Sequence, residues 1–173
     1  MSQTLALVFP GQGSQTLGML ADLAAEYPII QETFAEASDA LGYDLWKLVQ
    51  EGPEADLNST ENTQPALLTS SVALWRLWLQ QGGATPSVIA GHSLGEYSAL
   101  VCAGSISLAD GVRLVRLRGQ LMQQAVPAGT GAMAAILGLE DADVVAACEK
   151  AAAGEVVSAV NFNCPGPVVI AGE

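Results

Sequence analysis

The chain has 173 residues, half of them apolar and 14% charged, with a net charge of −12. That length suits one domain or one and a half with a sizeable core, and six Lys and Arg against 18 Asp and Glu exclude a cationic nucleic-acid surface. Three cysteines, Cys102, Cys148 and Cys164, without a CxxC pair, exclude a disulfide framework and a zinc site and point to a reducing, cytoplasmic setting.

Leu5–Phe9 reads as a short buried strand that Pro10-Gly11 turns into a tight loop. It lacks the basic flank of a signal peptide. No helical stretch reaches the roughly 18 uncharged apolar residues of a membrane span. Helices are expected over Leu17–Tyr27, Pro28–Leu41, Leu45–Gln50 and Gln64–Gln81. In the last, Leu67, Leu68, Val72, Trp75 and Trp78 recur at helical spacing up to a stop at Gly82-Gly83. A second strand, Ser87–Gly91, leads through His92-Ser93 into a helix that runs to about Ala103, and Leu108–Val126 is a further helix ended by Pro127.

The pattern then changes to a strand at Met133–Leu139, an Ala-rich helix at Asp141–Ala153, and strands at Glu155–Phe162 and Val168–Ala171. This β-α-β-β run opens a ferredoxin-like unit, which needs one more helix and strand. The expected fold class is therefore α/β. Residues 1–127 form part of an α/β-hydrolase-like large domain with a parallel sheet and a nucleophile elbow. Residues 128–173 begin a ferredoxin-like small domain.

Gly91-His92-Ser93-Leu94-Gly95 is a GxSxG motif between an apolar strand and a helix, the context that lifts a serine hydroxyl clear of a sheet. The Leu94 N–H then faces a developing oxyanion, and the positive end of the helix falls at the same point. A Gly-rich strand-to-helix turn without chemistry would carry the same five residues. Serine needs a base. His92 is the one histidine in the sequence, and adjacent side chains on an elbow diverge, so it reads as a brace of the turn. The loop Gly11-Gln12-Gly13-Ser14-Gln15 does not complete a dinucleotide GxGxxG, since position 16 is Thr. It can instead offer the Gln12 N–H as a second oxyanion donor.

On a helical wheel of Leu108–Val126, Leu114, Leu117 and Leu121, with Leu108, Val112, Val115 and Met122 beside them, form one apolar arc; Arg113, Arg116, Gln120 and Gln123 lie opposite. Arg118 falls inside the apolar arc, where a guanidinium needs an anion. A structural carboxylate and a substrate carboxylate gripped by a bidentate fork both answer that need.

Phe9-Pro10-Gly11-Gln12-Gly13-Ser14-Gln15, Thr63-Gln64-Pro65-Ala66, the run Gly91-His92-Ser93-Leu94-Gly95-Glu96-Tyr97-Ser98-Ala99-Leu100 and Arg118-Gly119 resemble, in order and over the whole chain, the malonyl-CoA:acyl carrier protein transacylase family of bacterial fatty acid synthesis. The resemblance implies a ping-pong transfer of malonyl from coenzyme A to the phosphopantetheine thiol of acyl carrier protein through a malonyl-serine. It makes Ser93 the nucleophile and the N–H groups of Gln12 and Leu94 the oxyanion hole. Arg118 becomes the malonyl-carboxylate ligand, with His92, Met122, Asn161 and Asn163 at the substrate. It implies malonyl-CoA and acyl carrier protein as partners, no nucleic acid or membrane, and no metal or redox cofactor. The family's base histidine is expected past position 173, so the 173 residues alone are expected not to turn over. Three alternatives stand beside it: an esterase or thioesterase, the acyltransferase module of a polyketide synthase, and a non-catalytic acyl-CoA-binding piece.

Overall fold

Two apolar tetrapeptides, Ala6–Phe9 (β1) and Val88–Gly91 (β2), pair in parallel, with Ala6 opposite Val88 and Phe9 opposite Gly91. Parallel neighbours require a long crossover. Here it consists of five helices, α1 (Ala21–Glu26), α2 (Ile29–Leu41), α3 (Leu45–Glu51), α4 (Glu54–Leu57) and α5 (Thr60–Gln80). After β2 come α6 (Leu94–Cys102) and α7 (Leu108–Ala125), then β3 (Ala132–Ile136), α8 (Asp141–Ala152), β4 (Val157–Phe162) and β5 (Val168–Gly172). The computed structural model describes residues 5–125, 130–164 and 166–172. The chain divides into two compact units, Met1–Met122 and Gln123–Glu173, and is a mixed α/β fold containing a parallel sheet. The expected boundary between residues 127 and 128 lies outside the described residues.

In the first unit the core is helical. Ile30, Phe34, Ala37 and Leu41 of α2 recur at helical spacing and meet Leu45 and Val49 of α3, Leu57 of α4 and Leu68 and Val72 of α5 in one cluster. α5 is buried along most of its first half, from Thr63 to Ser70. It starts four residues before the expected Gln64, because Ser59 in extended geometry (φ −65°, ψ 127°) begins the helix, and Pro65 within it sacrifices one backbone bond. α1 is shorter than the expected Leu17–Tyr27. Gly18 (φ 76°) and Leu20 (φ 66°) both take the left-handed conformation, which no helix can include. The four-residue α4 has no counterpart among the expected helices; it is too short to carry a periodicity, yet Leu57 is fully buried.

α7 corrects the wheel. Its buried line is Leu108, Gly111, Val112, Val115 and Gly119, whereas Leu114, Leu117 and Leu121 are about half exposed. The two glycines decide this. They let α7 approach α5 and α6, and a wheel of apolar side chains gives glycine no weight. Nor are Arg113 and Arg116 simply solvated. Arg113 Nε donates to the Ala40 carbonyl (3.1 Å) and Arg116 Nη1 to the Leu41 carbonyl (3.2 Å), satisfying the last carbonyls of α2.

The second unit pairs β3 and β4 antiparallel to a central β5, in the order β3-β5-β4. Val144 and Cys148 of α8 pack on Val168. Register shifts between Ala159, opposite Ile170, and Asn161, opposite Val169. This bulge leaves Val160 as the extra residue and re-aims the side chains beyond it. Asn161 therefore shares the face of Val169, opposite to the face on which Val168 meets α8. Among the described residues no helix is long and apolar enough to cross a membrane.

Candidate active site

At the end of β2 the His92 N–H donates to the Phe9 carbonyl (3.2 Å), carrying the parallel ladder one step past the strand before the chain reverses into α6. The reversal is centred on Ser93, with φ 52° and ψ −109°. A non-glycine residue held there costs about 1–3 kcal/mol. The flanking glycines make the turn possible. A Cβ on Gly91 would overlap the backbone of Gly95 and Glu96, and one on Gly95 would overlap the Phe9 carbonyl. Ser93 is exposed at the tip. Leu94, its side chain buried, is the first residue of α6, so its N–H has no partner within the helix.

The loop after β1 lies against this elbow. A Cβ on Gly11 would stand 3.1 Å from His92 Nδ1 and 3.9 Å from Ser93 Cβ, so the residue before Gln12 lies against the elbow. Gln12 Nε2 donates to Thr60 Oγ1 (3.3 Å) and Gln15 Nε2 to Asn58 Oδ1 (2.8 Å), tying the loop to the start of α5. His92 is exposed, with its backbone bonded on both sides and its ring toward Gly11.

Arg118 reaches the elbow from α7. The approach depends on Gly119, where a Cβ would meet the Thr60 carbonyl oxygen and Glu61 Cα at 2.7 Å. The half-buried guanidinium donates through Nη1 to Gln64 Oε1 (2.8 Å) and through Nη2 to Ser93 Oγ (3.0 Å), and it stands 5.6 Å over the Tyr97 ring. Among the described residues no carboxylate lies within 4 Å of it. Arginine has donors only and stays charged, so it orients the hydroxyl but cannot take its proton. Met122 is half exposed, and its sulfur accepts from Gln64 Nε2 (3.3 Å). Asn161, on β4, and Asn163, just beyond it, belong to the second unit.

Sequence reasoning assigns no role to Gln64 or Tyr97, although both lie within the family motifs. A signal for Gln64 is present. It precedes Leu67 and Leu68 by one turn and so sits on the apolar stripe of α5, the same anomaly that singles out Arg118. Ser93 has no rival in Cys102, whose thiol burial pushes up to about 12 against the opposing pull of Arg76. Between β1 and α5 runs an apolar groove of about 600 Å³, lined by Leu7, Phe9, Leu67, Leu74, Trp75 and Trp78 among others. Neither Ser93 nor Arg118 lines it, and it offers no reactive group. Among the described residues no three His, Cys, Asp or Glu side chains are grouped to hold a metal.

The profile described as "Acyl transferase domain" matches residues 6–173. The chain is 72% identical over 167 residues to the malonyl CoA-acyl carrier protein transacylase of Escherichia coli K12, covering 96% of this chain and 54% of that protein. It is similar to the crystal structure of an acyl carrier protein S-malonyltransferase from Vibrio cholerae, with 68% identity, a TM-score of 0.94, and coverage of 98% of this chain and 56% of that one. It is also similar to a malonyl-transacylase solved in complex with its type II PKS acyl-carrier protein, with 64% identity, a TM-score of 0.95, and coverage of 99% and 55%. The chain spans about half the length of the curated relatives it matches.

Proposed function

The chain belongs to the acyl transferase domain family, and on that premise we propose that it supplies the nucleophile and substrate grip of a malonyl-CoA:acyl carrier protein S-malonyltransferase of fatty acid synthesis. The observation that carries this reading is Arg118 Nη2 at 3.0 Å from Ser93 Oγ, on a guanidinium without a carboxylate partner among the described residues. A neutral acyl group has no use for that cation. A malonyl group places its carboxylate one methylene from the carbonyl under attack, within reach of the same fork.

In the proposed reaction Ser93 Oγ attacks the thioester carbonyl carbon and its proton passes to a base. The oxyanion collects on the Gln12 and Leu94 N–H groups. The C–S bond breaks, coenzyme A leaves with the proton as a free thiol, and malonyl remains esterified to Ser93. The phosphopantetheine thiol of the carrier then repeats the sequence in reverse, returning the hydroxyl. The family's base is a histidine. His92, beside Gly11 with its backbone bonded on both sides, is not proposed for that role; it braces the oxyanion loop at the substrate's edge. Met122, Asn161 and Asn163 complete the proposed substrate contacts. The re-aiming of Asn161 by the β4 bulge supports a role outside its own small core.

The finer fold reading belongs to the same proposal. The strained Ser93 between strand and helix supports an α/β-hydrolase-like part for residues 1–127. The order β3-β5-β4 with one crossover helix supports an opened ferredoxin-like unit for residues 128–173. A cytoplasmic enzyme fits the cysteine usage. A second reading, transfer to a polyketide carrier, is favoured by the similarity to the complex with a type II PKS acyl-carrier protein. The test is to incubate a whole-length acyltransferase carrying these residues with malonyl-CoA, find the malonyl group on Ser93 by mass spectrometry, and offer it carriers of both kinds. Acylation elsewhere, or release to water only, would defeat the transferase reading.

A further inference from the structure

Gln64 is a buried polar side chain to which the proposed reaction assigns nothing. It is 0% exposed, in the second turn of α5. Both ends of its amide are engaged: Oε1 accepts from Arg118 Nη1 at 2.8 Å and Nε2 donates to Met122 Sδ at 3.3 Å. We propose that Gln64 is a positioning residue that sets acyl selectivity. It holds one edge of the Arg118 guanidinium without neutralising it, and so presents the other edge, uncancelled, to an acyl group that carries a free carboxylate. The inference rests on the transacylase reading and deepens it.

Electrostatics decides which side chain can hold Arg118 in this way. The guanidinium has only donors, so the amide must turn its oxygen toward it, and its NH2 is left with a thioether, a weak acceptor. A glutamate in the same place would anchor Arg118 at least as firmly. It would also satisfy the charge, leaving little attraction for a second carboxylate. An apolar residue would leave the charge whole but its direction unfixed. A neutral amide oxygen is the side chain that fixes direction and preserves charge together. The close packing at Gly119 sets the distance between α7 and α5 over which this works. Burial of Gln64 excludes the water that would otherwise share the contact.

The experiment compares Gln64→Glu and Gln64→Met with wild type in a whole-length acyltransferase carrying these residues. It measures acylation of Ser93 by malonyl-CoA and by acetyl-CoA, with KM and kcat resolved for each. Gln64→Glu is expected to lower the malonyl-to-acetyl ratio at least about 30-fold and Gln64→Met about tenfold, both mainly through KM for malonyl-CoA. The acetyl reaction reports that each variant is folded, and where one variant loads neither acyl group the other decides. Parallel loss of both acyl groups at an unchanged ratio would make Gln64 a packing residue and overturn the inference. A wild type that loads acetyl but never malonyl would overturn the transacylase reading as well, so the two failures are distinct.

Discussion

The two units hold their backbones in place by unequal means. The first buries Ile30, Phe34, Leu45, Leu68 and Val112 completely in a helical core, while the two strands among its described residues show Val8 at 74% and Val88 at 55% exposure. The second has a three-stranded sheet, one helix and, among its described residues, a buried apolar cluster of Val144, Cys148 and Val168. The proposed nucleophile Ser93, the proposed oxyanion donors Gln12 and Leu94 and the proposed carboxylate ligand Arg118 all belong to the first. The second offers Asn161 and Asn163. The difference teaches where strain can be kept. Ser93 is held in a conformation costing about 1–3 kcal/mol, which is a small part of the burial available to the helical unit and a large part of what a cluster of three side chains supplies.

That contrast can be broken in several ways. The largest expected effect is on chemistry, in a whole-length acyltransferase. Ser93→Ala should reduce malonyl-enzyme by at least about a thousandfold, read by intact mass. A malonylated variant would move the nucleophile elsewhere. Arg118→Ala should lower the malonyl-to-acetyl preference by about 2–5 kcal/mol when the two thioesters compete. Equal loss of both would return Arg118 to a structural role.

Stability separates the units next. Phe34→Ala should cost about 3–5 kcal/mol and Val168→Ala about 2 kcal/mol, with hydrogen exchange quickening only in the unit that carries the change. Exchange that quickens equally in both units would show one cooperative body instead. Ser93→Gly should be about 1 kcal/mol more stable than Ser93→Ala in thermal unfolding, because glycine accepts the positive φ. Equal stability would mean the elbow relaxes in solution. The smallest effect is a rate order. Maleimide should label exposed Cys164 first, then buried Cys148 as the second unit opens, and last half-buried Cys102, whose thiol burial raises to about 12. Cys102 reacting ahead of Cys148 would reverse the ranking of the units.

Much of this is legible in the sequence because its signals are local. A strand cut by Pro10-Gly11, a serine between two glycines, and helices with apolar residues three and four apart need only neighbours in the chain to be read. The left-handed Leu20 cannot be foreseen, since a leucine there is imposed by its surroundings. The helix expected from Gln64 begins at Thr60, since the tertiary burial of α5 carries it through Pro65. The face of α7 is misjudged by counting side chains where Gly111 and Gly119 make the contact by having none. Arg118 stands out as a cation on an apolar stripe, and the same reasoning applied to α5 finds Gln64. The bulge at Val160 depends on pairing with β5, and no count along β4 alone reveals it.

The pairing of β1 with β2 also fixes an order in time. The loop proposed to hold the oxyanion leaves one strand and the elbow leaves the other, and five helices lie between them in the chain. During synthesis at about 5–20 residues per second, α2 and α3 can dock on each other while β1 still waits for a partner. No part of the site can assemble until Gly91 has emerged, since Phe9 meets its register only there. The interval from Phe9 to Gly91, set by the rate of translation, is thus a period in which Leu7, Val8 and Phe9 are open to wrong partners. Slower elongation across that interval lengthens the exposure without altering a single contact in the finished protein.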